Sequence, residues 1–334
     1  MRQARRKSSR SSIQAARTKP PKRRILRTLK TNAILCGDCK TVLKRFPAES
    51  IDLIFTSPPY GNARKGKYNG VAPGKFVKWF LERSEELKRV LKKRGTLILN
   101  IKESAAGGER RTYVLELILK LREQGWLWTE EFVWHKRNSF PGKWPNRFRD
   151  GWERLLQFNK SRDFKMYQRA VMVDMGDWAG PRLKNLSDKD KTREHSTLNG
   201  KFGVNLENWL KRKKAYPDNV LHLPTACSNN GHPATFPAAL PEWFIKLFTK
   251  EDDVVLDPFV GSGMTAIAAI HLSRRYIGVD IQSEFCSVAR RRIAKKPTVA
   301  KAPIDLQKRR NGTLRIPKPQ RDYSSRSVYA KTSD

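Results

Sequence analysis

Short apolar runs alternate with stretches of helical period in two separate blocks of this chain, an order that few folds accommodate. In the first block Ala33–Leu35, Ser50–Thr56 (SIDLIFT) and Gly95–Ile101 (GTLILNI) read as strands. Phe76–Leu91 and Tyr113–Gln124 carry apolar residues at helical spacing, and Trp126–Trp134 and Leu155–Phe158 read as further sheet. The second block runs helix Pro241–Phe248, strand Val254–Asp257, helix Gly261–Leu272, strand Tyr276–Asp280 and helix Ser283–Ala294. Strands alternating with helices predict a parallel, doubly wound α/β sheet with right-handed crossovers. From about Lys160 to Asn230 the sequence turns polar, basic and irregular, as an inserted module would. No internal repeat is visible.

Two turns stand out, each behind an apolar strand. Val254–Asp257 leads into Pro258-Phe259-Val260-Gly261-Ser262-Gly263 and then a helix. Glycines let the backbone approach a ligand closely, and a helix start offers free N–H groups. The next strand ends in Asp280, a carboxylate suited to ribose hydroxyls. An adenosine-containing ligand is expected here, although Gly261-Ser262-Gly263-Met264-Thr265-Ala266 also fits the G-x-G-x-x-A dinucleotide fingerprint. The other turn is Thr56-Ser57-Pro58-Pro59-Tyr60. Two prolines fix φ and remove two backbone donors, leaving rigid carbonyl acceptors beside an aromatic ring. That suits a flat group bearing an NH₂.

Charge identifies the class of partner. Against 32 acids stand 69 Lys and Arg, a formal net charge of +37 over 334 residues, which points to polyanions and above all nucleic acid. Residues 1–30 hold 12 of those cations and no acid, and residues 297–334 are similarly basic and poor in large apolar groups. Both read as flexible tails. The first also has the composition of an organelle transit peptide, although a DNA-clinging arm agrees better with a chain that is basic throughout. No apolar stretch is long enough to span a membrane. Cys36 and Cys39 form a C-x-x-C, but Cys227 and Cys286 lack the spacing of a second metal-binding pair, so no metal is expected. Reduced thiols fit a cytoplasmic protein.

With these turns in place the chain resembles the amino-methyltransferases of bacterial restriction–modification systems. Their catalytic motif, Asp/Asn/Ser-Pro-Pro-Tyr/Phe, corresponds to Ser57, Pro58, Pro59 and Tyr60. Their cofactor turn, Asp-x-Phe-x-Gly-x-Gly, corresponds to Asp257, Phe259, Gly261 and Gly263, with Thr265 and Asp280 following. Gly37-Asp38-Cys39 resembles the strand end that contacts adenine in that family. His232, Pro233 and Phe236 lie in a segment resembling the one that lines the methionine end of the cofactor. Trp134–Asn138, Arg147 and Trp152-Glu153 resemble the stretch before target recognition. Met264 stands where Thr is usual and Asp280 where Glu is common.

The resemblance implies a Rossmann-like S-adenosylmethionine-dependent sheet. The catalytic motif precedes the cofactor turn, as in the circularly permuted β group. Residues 31–160 would then be the catalytic part, 161–230 an inserted target-recognition module and 231–296 the cofactor-binding part. Ser57 in place of Asp implies methyl transfer to cytosine N4, with adenine N6 as the alternative. The implied partner is double-stranded DNA, with the target nucleotide flipped out. Arg64, Lys65 and Lys67, beside Tyr68, are candidates to close over it. Arg193, Lys211, Arg212, Lys213 and Lys214 are candidates for phosphate contact, with Trp209 and Tyr216 as apolar anchors. A restriction endonuclease is implied as functional partner without a stable complex, the enzyme itself being a cytoplasmic, nucleoid-associated monomer or dimer. A nicotinamide-dependent dehydrogenase would leave the Ser-Pro-Pro-Tyr turn without a role. A non-enzymatic nucleic-acid-binding protein would use neither turn. Cytosine C5 methylation needs a Pro-Cys pair and zinc deaminases need P-C-x-x-C, and neither occurs.

Overall fold

The computed structural model describes residues 28–60, 70–139, 146–175, 185, 187, 214–225 and 236–295. The first block comprises β1 (Ala33–Cys36), α1 (Cys39–Leu43), β2 (Ile51–Thr56), α2 (Pro73–Val90) and β3 (Leu91–Ile101), then the small hairpin β4 (Ala105–Ala106) and β5 (Glu109–Arg110). It continues with α3 (Tyr113–Glu123), β6 (Leu127–Lys136) and β7 (Trp152–Asn159). Next come β8 (Val173–Asp174), β9 (Lys214–Ala215) and β10 (Val220–Leu223). The second block supplies α4 (Ala239–Phe248), β11 (Val254–Asp257), α5 (Met264–His271), β12 (Arg275–Asp280) and α6 (Ser283–Ala294).

Eight strands form one sheet in the order β1-β12-β11-β2-β3-β7-β6-β10. Its middle strands are mostly apolar because helices cover both faces; every residue of β2 and β11 is buried, Asp52, Thr56 and Asp257 included. One face packs Leu53, Phe55 and Val255 against Phe244 of α4, Ala268 of α5 and Ala289 of α6. The other packs Ile54, Leu256 and Ile277 against Leu43 of α1, Phe80 of α2 and Leu117 of α3. The expected double winding is therefore present.

Three expectations need correction. The sheet is mixed, since β7 runs antiparallel to both β3 and β6. No helix is described between β6 and β7, and a strand that returns without a crossover helix pairs antiparallel. Residues 161–230 are not wholly separate from the sheet. Tyr167 N donates to Leu247 O at 2.6 Å, and β10 extends the sheet beside β6 with Leu221 and Leu223 buried. Four residues are too short a run to separate from a loop by periodicity. Lastly, α5 begins at Met264 rather than Gly261, because Gly261 (φ +48°) and Gly263 (φ +88°) lie in the left-handed region. Gly263 is needed on a second count: a Cβ there would stand 3.0 Å from Ala289 Cβ.

Asp52 ties the sheet together at the end remote from the strand tips. Only 2% exposed, it accepts from Lys92 Nζ at 2.7 Å, Lys165 Nζ at 3.1 Å and Val254 N at 3.0 Å. Burial opposes its charge, but the two ammonium groups and the Val254 amide outweigh burial and hold the carboxyl below its ordinary value. Asp52→Asn should cost about 2–3 kcal/mol at neutral pH, since the lysines lose their buried partner. The folded-state pKa is depressed, so this contribution is present above the unfolded carboxylate pKa and lost as pH falls through the folded one. Urea unfolding of both proteins should show the difference narrowing below about pH 4.

Candidate active site at the carboxyl edge of the sheet

The ends of β1, β12, β11, β2 and β6 and the start of β7 share one edge of the sheet. From β2 the chain moves outward to β3, and from β11 it moves the opposite way to β12. Between β11 and β2 the strand order therefore reverses, which in open α/β sheets opens a crevice for ligand. Both distinctive turns leave the sheet at that point.

Asp257 joins them. Its Oδ1 accepts from Thr56 Oγ1 at 2.7 Å and from Phe259 N at 3.1 Å, and its Oδ2 accepts from Thr265 Oγ1 at 2.6 Å. Asp257 and Thr265 are each 2% exposed, and the three bonds engage both carboxylate oxygens. Both residues, placed among the cofactor ligands from sequence, form an internal brace in the structure. Desolvation dominates over these donors and pushes the Asp257 carboxyl up to about 6.

Asp280 differs. It is half-buried at the tip of β12, with Oδ2 accepting from Gly261 N at 3.0 Å and Oδ1 from Gln282 N at 2.9 Å. Desolvation raises its pKa, opposed by those amides. The left-handed Gly261 aims its N–H at this carboxylate, which orients it while leaving other lone pairs open. Phe259 lies 5.4 Å from the Trp79 ring, and the Arg83 guanidinium stacks 4.2 Å over that same indole. Asp38 caps α1 by accepting from Lys40 N at 3.0 Å and pairs with Arg83 at 2.8 Å, its side chain still 34% exposed. Cys39, beside it, is buried, and desolvation pushes its thiol up to about 12. Phe236 packs edge-on to Phe55 at 5.4 Å. His232 and Pro233 lie outside the described residues.

The Ser-Pro-Pro-Tyr turn is held from outside itself. Ser57 Oγ donates to the Tyr60 hydroxyl at 3.1 Å, and that hydroxyl donates to Glu153 Oε2 at 2.8 Å. Lys136 Nζ reaches Glu153 Oε1 at 2.6 Å, and Asn100 Nδ2 reaches Oε2 at 3.1 Å. Burial, then the Glu153 charge, hold the Tyr60 phenol far above its ordinary value, so it stays protonated. The turn thus carries the Ser57 hydroxyl beside a ring whose own hydroxyl is fixed.

Lys136 and Glu153 were noted from sequence only as part of the stretch before target recognition, and Asn100, Trp79 and Arg83 not at all. A charged residue inside an apolar strand such as WERLLQFN is the available signal, since burial demands a partner. Of the residues expected to touch DNA, Lys214 is described and lies exposed on β9, opposite Asp174. Arg64, Lys65, Lys67, Arg193, Lys211, Arg212 and Lys213 lie outside the described residues.

Comparison with known proteins adds a second line of evidence. The sequence model of the family described as DNA methylase matches residues 51–291. Type II methyltransferase M.PvuII of Proteus hauseri is 28% identical over 284 residues, covering 78% of this chain and 83% of that one. Orphan methyltransferase M.BamHII of Bacillus amyloliquefaciens is 30% identical over 265 residues, covering 77% and 90%. Among solved structures, the cytosine-N4-specific PvuII DNA methyltransferase superposes with a TM-score of 0.60 at 24% identity, covering 83% of this chain and 90% of that one. A putative DNA modification methylase of Thermus thermophilus, complexed with S-adenosyl-L-methionine, gives 0.54 at 22% identity, covering 79% and 93%.

The brace predicts a pH signature. The folded pKa of Asp257 lies above its unfolded value, so its contribution to stability is greatest below about pH 4 and is lost as pH rises through about 6. Asp257→Asn removes that titration. Between pH 4 and 7 the wild type should lose stability relative to the variant by on the order of 2–3 kcal/mol, read from denaturant midpoints.

Proposed function

This chain belongs to the DNA methylase family, and from that premise we propose that it methylates the N4 amine of cytosine within a specific duplex sequence. It is a DNA methyltransferase that uses S-adenosylmethionine. The observation that carries the cytosine reading is the turn Ser57–Tyr60, joined through Thr56 and Asp257 to the glycine turn at the switch point of the sheet. The circularly permuted order of the two turns, as well as a target-recognition role for the middle of the chain, belongs to the same reading.

The residues present fit the cofactor. Asp280 offers oriented carboxylate oxygens to ribose hydroxyls, while Trp79 and Phe259 offer apolar faces to a flat base. Asp38, paired with Arg83, and Phe236, packed on Phe55, complete the set, with His232 and Pro233 assigned from sequence alone. When bound, S-adenosylmethionine supplies a methyl group on a sulfonium, open to attack by a nitrogen lone pair.

The protein's own task is to make an amine nitrogen a competent nucleophile, because cytosine conjugates that lone pair into its ring. Ser57 Oγ and the Pro58 carbonyl accept the two amine hydrogens, which draws the nitrogen toward tetrahedral geometry and aims its lone pair. The Tyr60 ring stacks on the base while its hydroxyl stays anchored to Glu153. The amine lies inside the duplex, so the nucleotide is flipped out at a cost of a few kcal/mol, offset in part by stacking worth ~1–3 kcal/mol. The net charge of +37 draws the duplex in. Arg64, Lys65 and Lys67 would close over the flipped nucleotide, and Arg193 with Lys211–Lys214 would grip phosphates. We assign the enzyme to the cytoplasm, on the nucleoid, with a restriction endonuclease as functional partner but no stable complex.

The test is to incubate the protein with mixed-sequence duplex DNA and methyl-labelled S-adenosylmethionine, then digest to nucleosides. Label in N4-methylcytosine is expected; label in N6-methyladenine overturns the reading of Ser57. Ser57→Ala should keep cofactor affinity while turnover collapses. If six to ten phosphates are neutralised, DNA affinity should fall by ~10³–10⁵ between 50 and 200 mM salt. A flat dependence contradicts the DNA contacts.

A further inference from the structure

We infer that Glu153 is a positioning residue that sets the direction of a hydrogen-bond chain, so that Ser57 can meet the target amine only as an acceptor. The inference rests on the reading of Ser57 as the residue facing that amine.

A serine hydroxyl can donate or accept, whereas an amine about to attack must find acceptors on its hydrogens. The surroundings of Glu153 remove the ambiguity. Lys136 Nζ, 2.6 Å from Oε1, is an ammonium with donors and no acceptor. Asn100 Nδ2 contacts Glu153 Oε2 and the Arg154 carbonyl, both at 3.1 Å. Both are acceptors, so the NH₂ end of the amide is fixed on that side. Glu153, 7% exposed, therefore sits as an acceptor among donors. The Tyr60 hydroxyl, 2.8 Å away, must add its proton to that set. Its oxygen then has only lone pairs to offer Ser57, whose proton points to it across 3.1 Å. Ser57 is left with lone pairs for the crevice. Chain polarity thus lets a neutral hydroxyl present acceptor-only oxygen, as a carboxylate at that position would.

The pieces come from four strand ends at one edge: Ser57 follows β2, Asn100 lies one residue from the end of β3, Lys136 closes β6 and Glu153 is the second residue of β7. The antiparallel entry of β7 is what brings Glu153 to this edge. Trp134 reinforces the arrangement, with Lys136 Nζ 5.1 Å from the centre of its ring.

The experiment compares the full chain with Glu153→Gln, Glu153→Asp and Tyr60→Phe, measuring kcat, KM for DNA, and cofactor affinity by tryptophan fluorescence. Glu153→Gln offers an NH₂ to Tyr60 and can reverse the chain, turning the Ser57 proton toward the amine. Its kcat should fall on the order of 10²-fold, with KM and cofactor affinity within about threefold of wild type. Glu153→Asp keeps an acceptor-only group and should recover part of that loss. Tyr60→Phe leaves the Glu153–Lys136 pair intact, guarding against misfolding, and should also lower kcat at unchanged cofactor affinity. If Glu153→Gln and Tyr60→Phe both retain wild-type kcat, or if KM and cofactor affinity collapse together with kcat, the inference is wrong. If the wild type itself transfers no label to DNA, the functional reading fails first, and that outcome is separate.

Discussion

One buried carboxylate organises this molecule's chemistry. Asp257 stands at the reversal point of the sheet and accepts from a threonine on β2, a threonine on α5 and an amide of the glycine turn. The Ser-Pro-Pro-Tyr turn hangs from β2 directly after that threonine, and the glycine turn begins directly after Asp257. Methyl transfer needs two reactants aligned to within fractions of an ångström. A brace shared by the two turns supplies that alignment before either reactant arrives. Its cost is visible in the carboxyl itself, pushed up to about 6 by desolvation.

A chain of net charge +37 concentrates acids at this edge. Asp38, Asp257, Asp280 and Glu153 are buried or half-buried there, each held by donors from within the chain. The excess of cations governs encounter with a polyanion, an effect that acts over distances near a Debye length and fades with salt. The buried acids govern geometry, which salt barely screens. These are separate uses of charge, and the fold keeps them apart by putting the acids at strand tips.

Much of the fold was legible because strands buried on both faces are apolar at most positions and helices between them keep a single apolar stripe. Ile51–Thr56 and Val254–Asp257 could be read in this way without any knowledge of their neighbours. β10 could not: VLHL becomes a strand only because β6 presents an open edge. The direction of β7 was equally hidden, since an apolar run looks alike read either way along the sheet. In the site, Ser57–Tyr60 and Gly261–Gly263 announced themselves through residue types that constrain backbone. Glu153 and Lys136 gave no such signal, because a charged residue in a strand shows its purpose only when its partner is known.

By itself, then, the sequence determined the doubly wound architecture, the two turns and the positions of Gly261 and Gly263. These follow from local physics: apolar periodicity, proline's fixed φ and glycine's tolerance of positive φ. The tertiary structure decided which acids stay half-buried at the strand tips and which are fully buried inside. It made Asp257 and Thr265 a brace, held Asp280 half-buried by the Gly261 and Gln282 amides, and joined Tyr60 to a carboxylate 93 residues away. Hydrogen-bond partners so distant in sequence are chosen by strand order and register, which no local pattern encodes.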